Sequence, residues 1–268
     1  MKTVTSASNP HYQDWKKLGG STRAQKKSGE ILLEGMHLLD AWQAVYGLPL
    51  GVWVSESGIK RLEIAGWLAD HAQSLRAPAE IFCSPDALFR KLADTETPAG
   101  IVARVPLPKQ SDSPLPDVDT LLLDGIQDPG NLGCLLRTAA AAGFSQALLS
   151  AHCASAWSAK VLRAGQGAHF QARIYEAADL PAFLRAFKGV SLAATVQDAE
   201  PLHIVRWPAH APLAWVFGAE GQGIGAATLG EAGHRVRIAM PGAMESLNVS
   251  AAAAICLFES LRRRQARK

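Results

Sequence analysis

The sequence predicts an α/β protein in two parts, the second an open parallel sheet with helices on both faces. Three observations carry this. Short apolar runs alternate with helix-period stretches through residues 119–268, the pattern of a parallel sheet buried on both sides. A proline-rich spacer with little to bury (Pro106, Pro108, Pro114, Pro116) interrupts the chain at 106–118. The 268 residues, 48% apolar and 19% charged, supply enough core for two modest domains. Domains are accordingly expected at 1–105 and 119–268.

Taken in order, 30–33, 51–54, 80–83 and 100–104 read as strands of the first part, with helices at 36–46, 60–74 and 85–92. In the second part strands are expected at 120–123, 147–150, 172–175, 191–195, 213–217 and 235–240. Helices fit near 132–142, 156–165, 180–187, 224–232 and 249–264. The sequence shows neither an internal repeat nor a low-complexity segment.

Composition narrows the function classes. No run approaches the ~18 apolar residues that a membrane span requires, and the start lacks the apolar core of a secretion signal. The four cysteines (Cys83, Cys134, Cys153, Cys256) are scattered in apolar contexts without zinc-type pairing. Buried, reduced thiols in a cytoplasmic protein without a metal are expected. The net charge of +3 is uneven. Residues 1–30 carry six basic groups (Lys2, Lys16, Lys17, Arg23, Lys26, Lys27) against Asp14 and Glu30. Residues 262–268 carry five and no acid, and the body between holds 16 basic against 22 acidic groups. Positive ends suit a polyanionic partner, although the terminal arginines also offset the dipole of the last helix. Lys16, Lys17, Arg23, Lys26 and Lys27, with Tyr12 and Trp15 nearby, form a candidate RNA arm acting through phosphates and stacking. Helical amphipathicity accounts for Trp15 and Leu18 equally well.

Chemistry gathers in three polar turns, each following a strand. The first runs from Asp124 through Asn131 into a helix that carries Arg137, which reads either as a solvated face residue, the usual case, or as a planar fork that clamps a phosphate. The second, 218–225, has four glycines around Glu220, and glycine lets backbone approach a ligand or another segment closely. The third, 241–250, crowds Glu245, Ser246 and Asn248 ahead of four alanines; Ser246 or Asn248 also suits the N-cap of the last helix. Turns after strands of one parallel sheet converge at its carboxyl edge, so the three read as one site.

Together, N-x-G-x-x-x-R at 131–137, G-x-E-x-x-G at 218–223 and the run from Pro241 through Glu245, Ser246, Leu247, Asn248, Val249 and Ser250 resemble the three motifs of SpoU/TrmH RNA methyltransferases of the SPOUT superfamily. The match covers the last ~150 residues in the family's order. The first part, with Ser8-Asn9-Pro10 and Glu34-Gly35 before a helix, is more loosely similar to the ribosomal-protein-like substrate-binding domain of many members.

The resemblance implies a trefoil-knotted α/β methyltransferase domain, S-adenosylmethionine as cofactor, and a ribose 2′-hydroxyl of rRNA or tRNA as acceptor; the compact first part and the lack of long helical extensions around the second favour rRNA. It implies a homodimer packed through the knotted region. Catalytic polar groups would be Asn131, Arg137, Glu220, Ser246 and Asn248; Gly218, Ile238, Met240 and Leu247 would hold the cofactor. Three rivals remain. An inactive RNA-binding factor on this fold would lack a motif residue, and none is missing. A loose dinucleotide fingerprint at Gly221 and Gly223, with Glu245 as its acid, suggests a nicotinamide dehydrogenase, but only one βα unit follows it. A serine hydrolase fails because Ser246 lacks a G-x-S-x-G frame.

Overall fold

The computed structural model describes residues 1–75, 80–93, 95–109, 112–208, 210–243 and 246–266. Expectations for Glu245, Arg267 and Lys268 lie outside the described residues. The chain divides into two compact units, Met1–Lys109 with Trp157–Phe170, and Gln110–Ala156 with Gln171–Lys268.

The first unit opens with β1 (Lys2–Thr3), α1 (Pro10–Gly20) and α2 (Thr22–Ser28). Helix α1 starts where chemistry dictates: Asn9 Oδ1 accepts from the amides of His11 (2.9 Å) and Tyr12 (3.4 Å), and Pro10 opens the first turn. Then come β2 (Glu30–Glu34), α3 (Met36–Tyr46), β3 (Gly51–Ser55), α4 (Leu62–His71), β4 (Glu80–Ser84), α5 (Asp86–Ala93) and β5 (Ile101–Pro106). Five strands pair in the order β1-β4-β3-β5-β2, with β5 antiparallel to both neighbours. Trp53 and Phe82 stack at 4.7 Å in its core, and Tyr12, Trp15 and Leu18 of α1 pack around them. The unit also gathers α7 (Ala159–Gly165) and a following short turn, through Arg163 on Glu34 (3.4 Å) and Phe170 edge-on to Trp42.

The second unit contains β6 (Thr120–Asp124), α6 (Pro129–Ala141), β7 (Gln146–Leu149), β8 (Arg173–Tyr175), α8 (Leu180–Ala186), β9 (Val190–Ala194), β10 (Glu200–Pro201), β11 (Leu213–Gly218), α9 (Ala226–Glu231), β12 (His234–Arg237) and α10 (Val249–Gln265). Its seven strands are all parallel, in the order β10-β12-β9-β11-β6-β7-β8. Alternation along β11 serves two layers. Ala214 and Val216 join the core beneath α8 and α9, while the Trp215 indole donates to Ser260 of α10 (2.9 Å). The far end of α10 is tied down by Arg264, whose Nη2 donates to Asp119 (2.8 Å); the same carboxylate accepts the Leu213 amide (2.8 Å).

Among the strands, the boundary that departs most from expectation is the end of the last. Strand β12 ends at Arg237 rather than Met240, because its neighbours run out: β9 stops at Ala194, and β10 pairs no farther than Arg237. Residues 238–243 continue beyond the carboxyl edge, and among the described residues their backbone makes no backbone–backbone hydrogen bond.

Candidate active site

Each turn at the carboxyl edge is set by local chemistry. After β6, Gly125 takes a positive φ of 71° and its amide donates to Ser150 Oγ (3.0 Å). Asp128 then caps α6 by accepting from the Asn131 amide (2.7 Å), with Pro129 following it, which places Asn131 in the first helical turn. After β11, Ala219 and Gly223 exchange two backbone bonds (3.1 and 2.9 Å) and close a tight turn with Glu220 at its tip. Asp124 fastens this second turn to the first by accepting from the Gly225 amide (3.0 Å). The third turn ends at Asn248, which caps α10 by accepting from the Ser250 amide (2.9 Å).

These turns meet in one hydrogen-bond network. Asn131 Nδ2 donates to Glu220 Oε1 (2.8 Å), and Asn248 Nδ2 donates to the same oxygen (2.9 Å) and to Asn131 Oδ1 (3.1 Å). Ser250 Oγ donates to Asn131 Oδ1 (3.2 Å). Donors and acceptors match throughout, so the amide orientations are mutually fixed. Asn248 thus does both things its position allowed: its oxygen caps the helix while its nitrogen reaches across the site. Glu220 and Asn248 are exposed and Asn131 half-buried, so the corner faces solvent, open to a substrate.

Two sequence-predicted residues take no part in this hydrogen-bond network among the described residues. Arg137 is exposed on α6 without a partner among the described residues. It lies six residues past Asn131, about 9 Å along the axis and on another face. Ser246 is exposed and likewise unbonded among the described residues. Ser250, Asp124 and Asp128 were missed as site residues. A polar residue just inside a helix and an acid ending a strand carry no distinctive signal until the turns are known to meet.

The residues expected around the cofactor sit on the same edge. Gly218 ends β11 against the returning turn: a Cβ there would lie 2.1 Å from the Gly223 carbonyl carbon. Ile238 and Met240 are partly buried in the unpaired stretch after β12, and Leu247 is 40% exposed. Among the described residues, the backbones of Ile238, Ala239 and Met240 make no hydrogen bond. Free main-chain groups beside uncovered apolar side chains fit the adenine of S-adenosylmethionine. No cluster of three or more metal-ligating residues occurs among the described residues.

In the first unit Lys16, Lys17, Arg23, Lys26 and Lys27 are all exposed on α1 and α2. The aromatic stacking considered for this arm is ruled out, since Tyr12 and Trp15 are 1% and 3% exposed in the core. The cysteine expectation also needs correction. All four are free thiols, but Cys134 is exposed on α6, because the buried stripe of that helix runs through Leu132, Leu135 and Leu136 instead. Cys256 fits it, buried with its pKa pushed up to about 12 by burial. No helix among the described residues is long and apolar enough to cross a membrane.

Comparison with known proteins agrees with this geometry. Residues 120–258 match the SpoU rRNA Methylase family. An uncharacterized tRNA/rRNA methyltransferase of Synechocystis is 33% identical over 99% of this chain and 96% of its own length. The Bacillus subtilis 23S rRNA (guanosine(2553)-2′-O)-methyltransferase RlmP is 31% identical over 96% and 98%. A crystal structure of an RNA 2′-O ribose methyltransferase superposes with a TM-score of 0.82 at 28% identity, covering 98% of this chain and 99% of that one. A parallel sheet whose three motif-bearing turns close on one polar corner, matched along nearly the whole chain, leaves one assignment: this chain belongs to the SpoU family and is an S-adenosylmethionine-dependent RNA methyltransferase.

Proposed function

We propose that the protein methylates a ribose 2′-hydroxyl of ribosomal RNA at the corner formed by Asn131, Glu220 and Asn248. The observation that carries this reading is that three segments, 89 and 28 residues apart, hydrogen-bond to one another through functional side chains. S-adenosylmethionine, when bound, supplies a methyl group already activated by its sulfonium. The chain's work is then alignment and removal of a proton from a weakly acidic hydroxyl. Gly218, Ile238, Met240 and Leu247 hold the nucleoside through main-chain groups and apolar cover. Glu220 offsets positive charge at the reacting centre and fixes both asparagine amides; Asn131, Ser246 and Asn248 position the ribose.

Arg137 binds the phosphate beside the target ribose and stabilises the developing alkoxide. A delocalised guanidinium is a strong donor fork and a poor base. Arg137→Lys is expected to slow methyl transfer by about 100-fold and Arg137→Ala by about 1,000-fold, in single-turnover assays with labelled cofactor. A lysine variant with the native rate would exclude the fork.

Arg137 faces away from its own chain's network, which suits a site completed by a second copy. Ile255 and Phe258 of α10 are 43% and 45% exposed one turn apart, with Leu247 just before the helix, an uncovered apolar face of the kind that subunits bury. We assign it to a homodimer interface. Phe258→Glu is expected to yield a monomer in sedimentation velocity, with methyl transfer lost. The trefoil knot that the family resemblance implies belongs to the same reading. The basic residues of α1 and α2, beside a shallow depression of about 550 Å³, contact RNA phosphates.

The whole-length match to RlmP favours ribosomal RNA, in the cytoplasm, as the substrate. Mapping ribose methylation in RNA from cells lacking the protein tests this. Loss of one rRNA 2′-O-methyl group is expected; loss confined to tRNA would overturn the assignment.

A further inference from the structure

At the opposite end of α10 from the asparagine corner lies a cleft of about 300 Å³, lined by His203, Arg206, Trp207, Glu259, Arg262 and Arg263. It lies roughly 20 Å along the helix axis from Asn248 at 1.5 Å per residue, so it is no part of the site already described. None of the three motifs contributes to it.

Its construction separates residues that build from residues that remain available. Arg263 builds. Its guanidinium lies 4.1 Å from the Trp207 ring centre, and it donates to Glu259 (2.6 Å) and to the carbonyls of Val205 (2.7 Å) and Leu202 (2.6 Å). These bonds pin the segment after β10 onto the helix, and a turn closed by Ile204 N on Pro201 O (2.9 Å) stiffens it further. The pinned segment presents His203 and Arg206, both exposed and without a partner among the described residues. Arg262 keeps one terminal nitrogen available beyond its two bonds to Glu259 (2.6 and 2.9 Å).

The charge does not balance. Glu259 is the only acid in the lining; the bond from Arg262 holds its pKa down at about 2, and both its oxygens are already engaged by arginines. Three guanidiniums against one carboxylate leave two positive charges, and His203 adds a ring nitrogen able to hydrogen-bond an oxyanion. The dipole of α10 accounts for the arginines of its last turn. It does not account for Arg206, which comes from another segment and is held where like charges repel, with His203 beside it in the lining. A fixed concave cluster of unpaired cations is what an anion requires, and the planar fork favours phosphate. Trp207 is only 8% exposed, which leaves no open ring face for a base, so recognition is of backbone rather than sequence.

We propose that this cleft binds a backbone phosphate of the RNA substrate, a second anchor remote from the reacting ribose. This rests on RNA being the substrate. The test measures binding of a fluorescein-labelled RNA hairpin to the full-length wild type, Arg206→Glu and His203→Ala across a salt series. Binding of S-adenosylhomocysteine reports an intact fold. For Arg206→Glu, affinity should fall about 5- to 10-fold at low salt, and the slope of log K against log[salt] should shrink by about one. For His203→Ala, affinity should also fall, by less than for Arg206→Glu, because it removes one hydrogen-bonding group rather than reversing a charge. Unchanged affinity and slope in Arg206→Glu, with the hairpin still bound tightly by wild type, overturn the proposal and leave RNA methylation standing. Failure of wild type to bind the hairpin while binding S-adenosylhomocysteine overturns both. Inorganic phosphate that binds wild type but not Arg206→Glu, with hairpin binding equal in the two, would make the cleft a small-anion site and overturn the RNA assignment.

Discussion

Glu220→Ala is expected to slow single-turnover methyl transfer on the order of 100- to 1,000-fold, the usual cost of removing a preorganised electrostatic group. One carboxylate oxygen accepts from Asn131 and Asn248 together, so its removal leaves two amides without their shared acceptor. Glu220→Gln separates the two parts of the role. A glutamine carbonyl accepts both bonds and preserves the geometry, but it carries no charge to set against a sulfonium. If charge matters as proposed, the glutamine variant loses nearly as much rate as the alanine variant while its fold and melting temperature stay near wild type. A glutamine variant with the native rate would reduce Glu220 to a scaffold for the asparagines.

Gly218→Ala is expected to damage both fold and activity. The added methyl would meet backbone atoms of Gly223 and Ile224 at 2.1 to 2.3 Å, and backbone does not yield as a side-chain tip does. The turn carrying Glu220 must shift, and a displacement of about 1 Å in a positioned group costs about 100-fold in rate. Overpacking of this kind typically costs about 1–3 kcal/mol in stability. The variant should therefore melt lower and bind S-adenosylhomocysteine at least 10-fold more weakly in calorimetry. Native affinity would show that the close crossing at Gly218 does not shape the cofactor site.

Much of this was legible because period and punctuation coincide. The apolar strands 120–123 and 213–217, and the helices near 132–142 and 249–264, read directly from residue spacing, and the structure places them within a few residues. Less legible was what depends on neighbours. Strand β12 stops three residues early because its partners end, which no property of Ile238 or Met240 announces. Helices α1 and α2 were read only as an amphipathic alternative, since Gly19, Gly20 and Ser21 break the period between two short elements. Ser250 escaped notice because a serine beside an alanine run resembles a helix-surface residue until Asn131 arrives from 119 residues away. The position of Arg137 was the least legible. Sequence order groups it with Asn131, but the helix turns it to another face.

Asn248 shows how folding and function share one side chain. The residue that starts α10 also locks the first turn to the second, so a single asparagine closes the corner and places the helix whose apolar face remains uncovered. A crystal structure of the full chain with S-adenosylhomocysteine tests the central claim most directly. The account predicts the adenine against Ile238, Met240 and Leu247, and the sulfur beside the corner of Asn131, Glu220 and Asn248, with Arg137 of the second copy reaching the same space. The nucleoside bound anywhere else, or Arg137 distant from it in both copies, would contradict it.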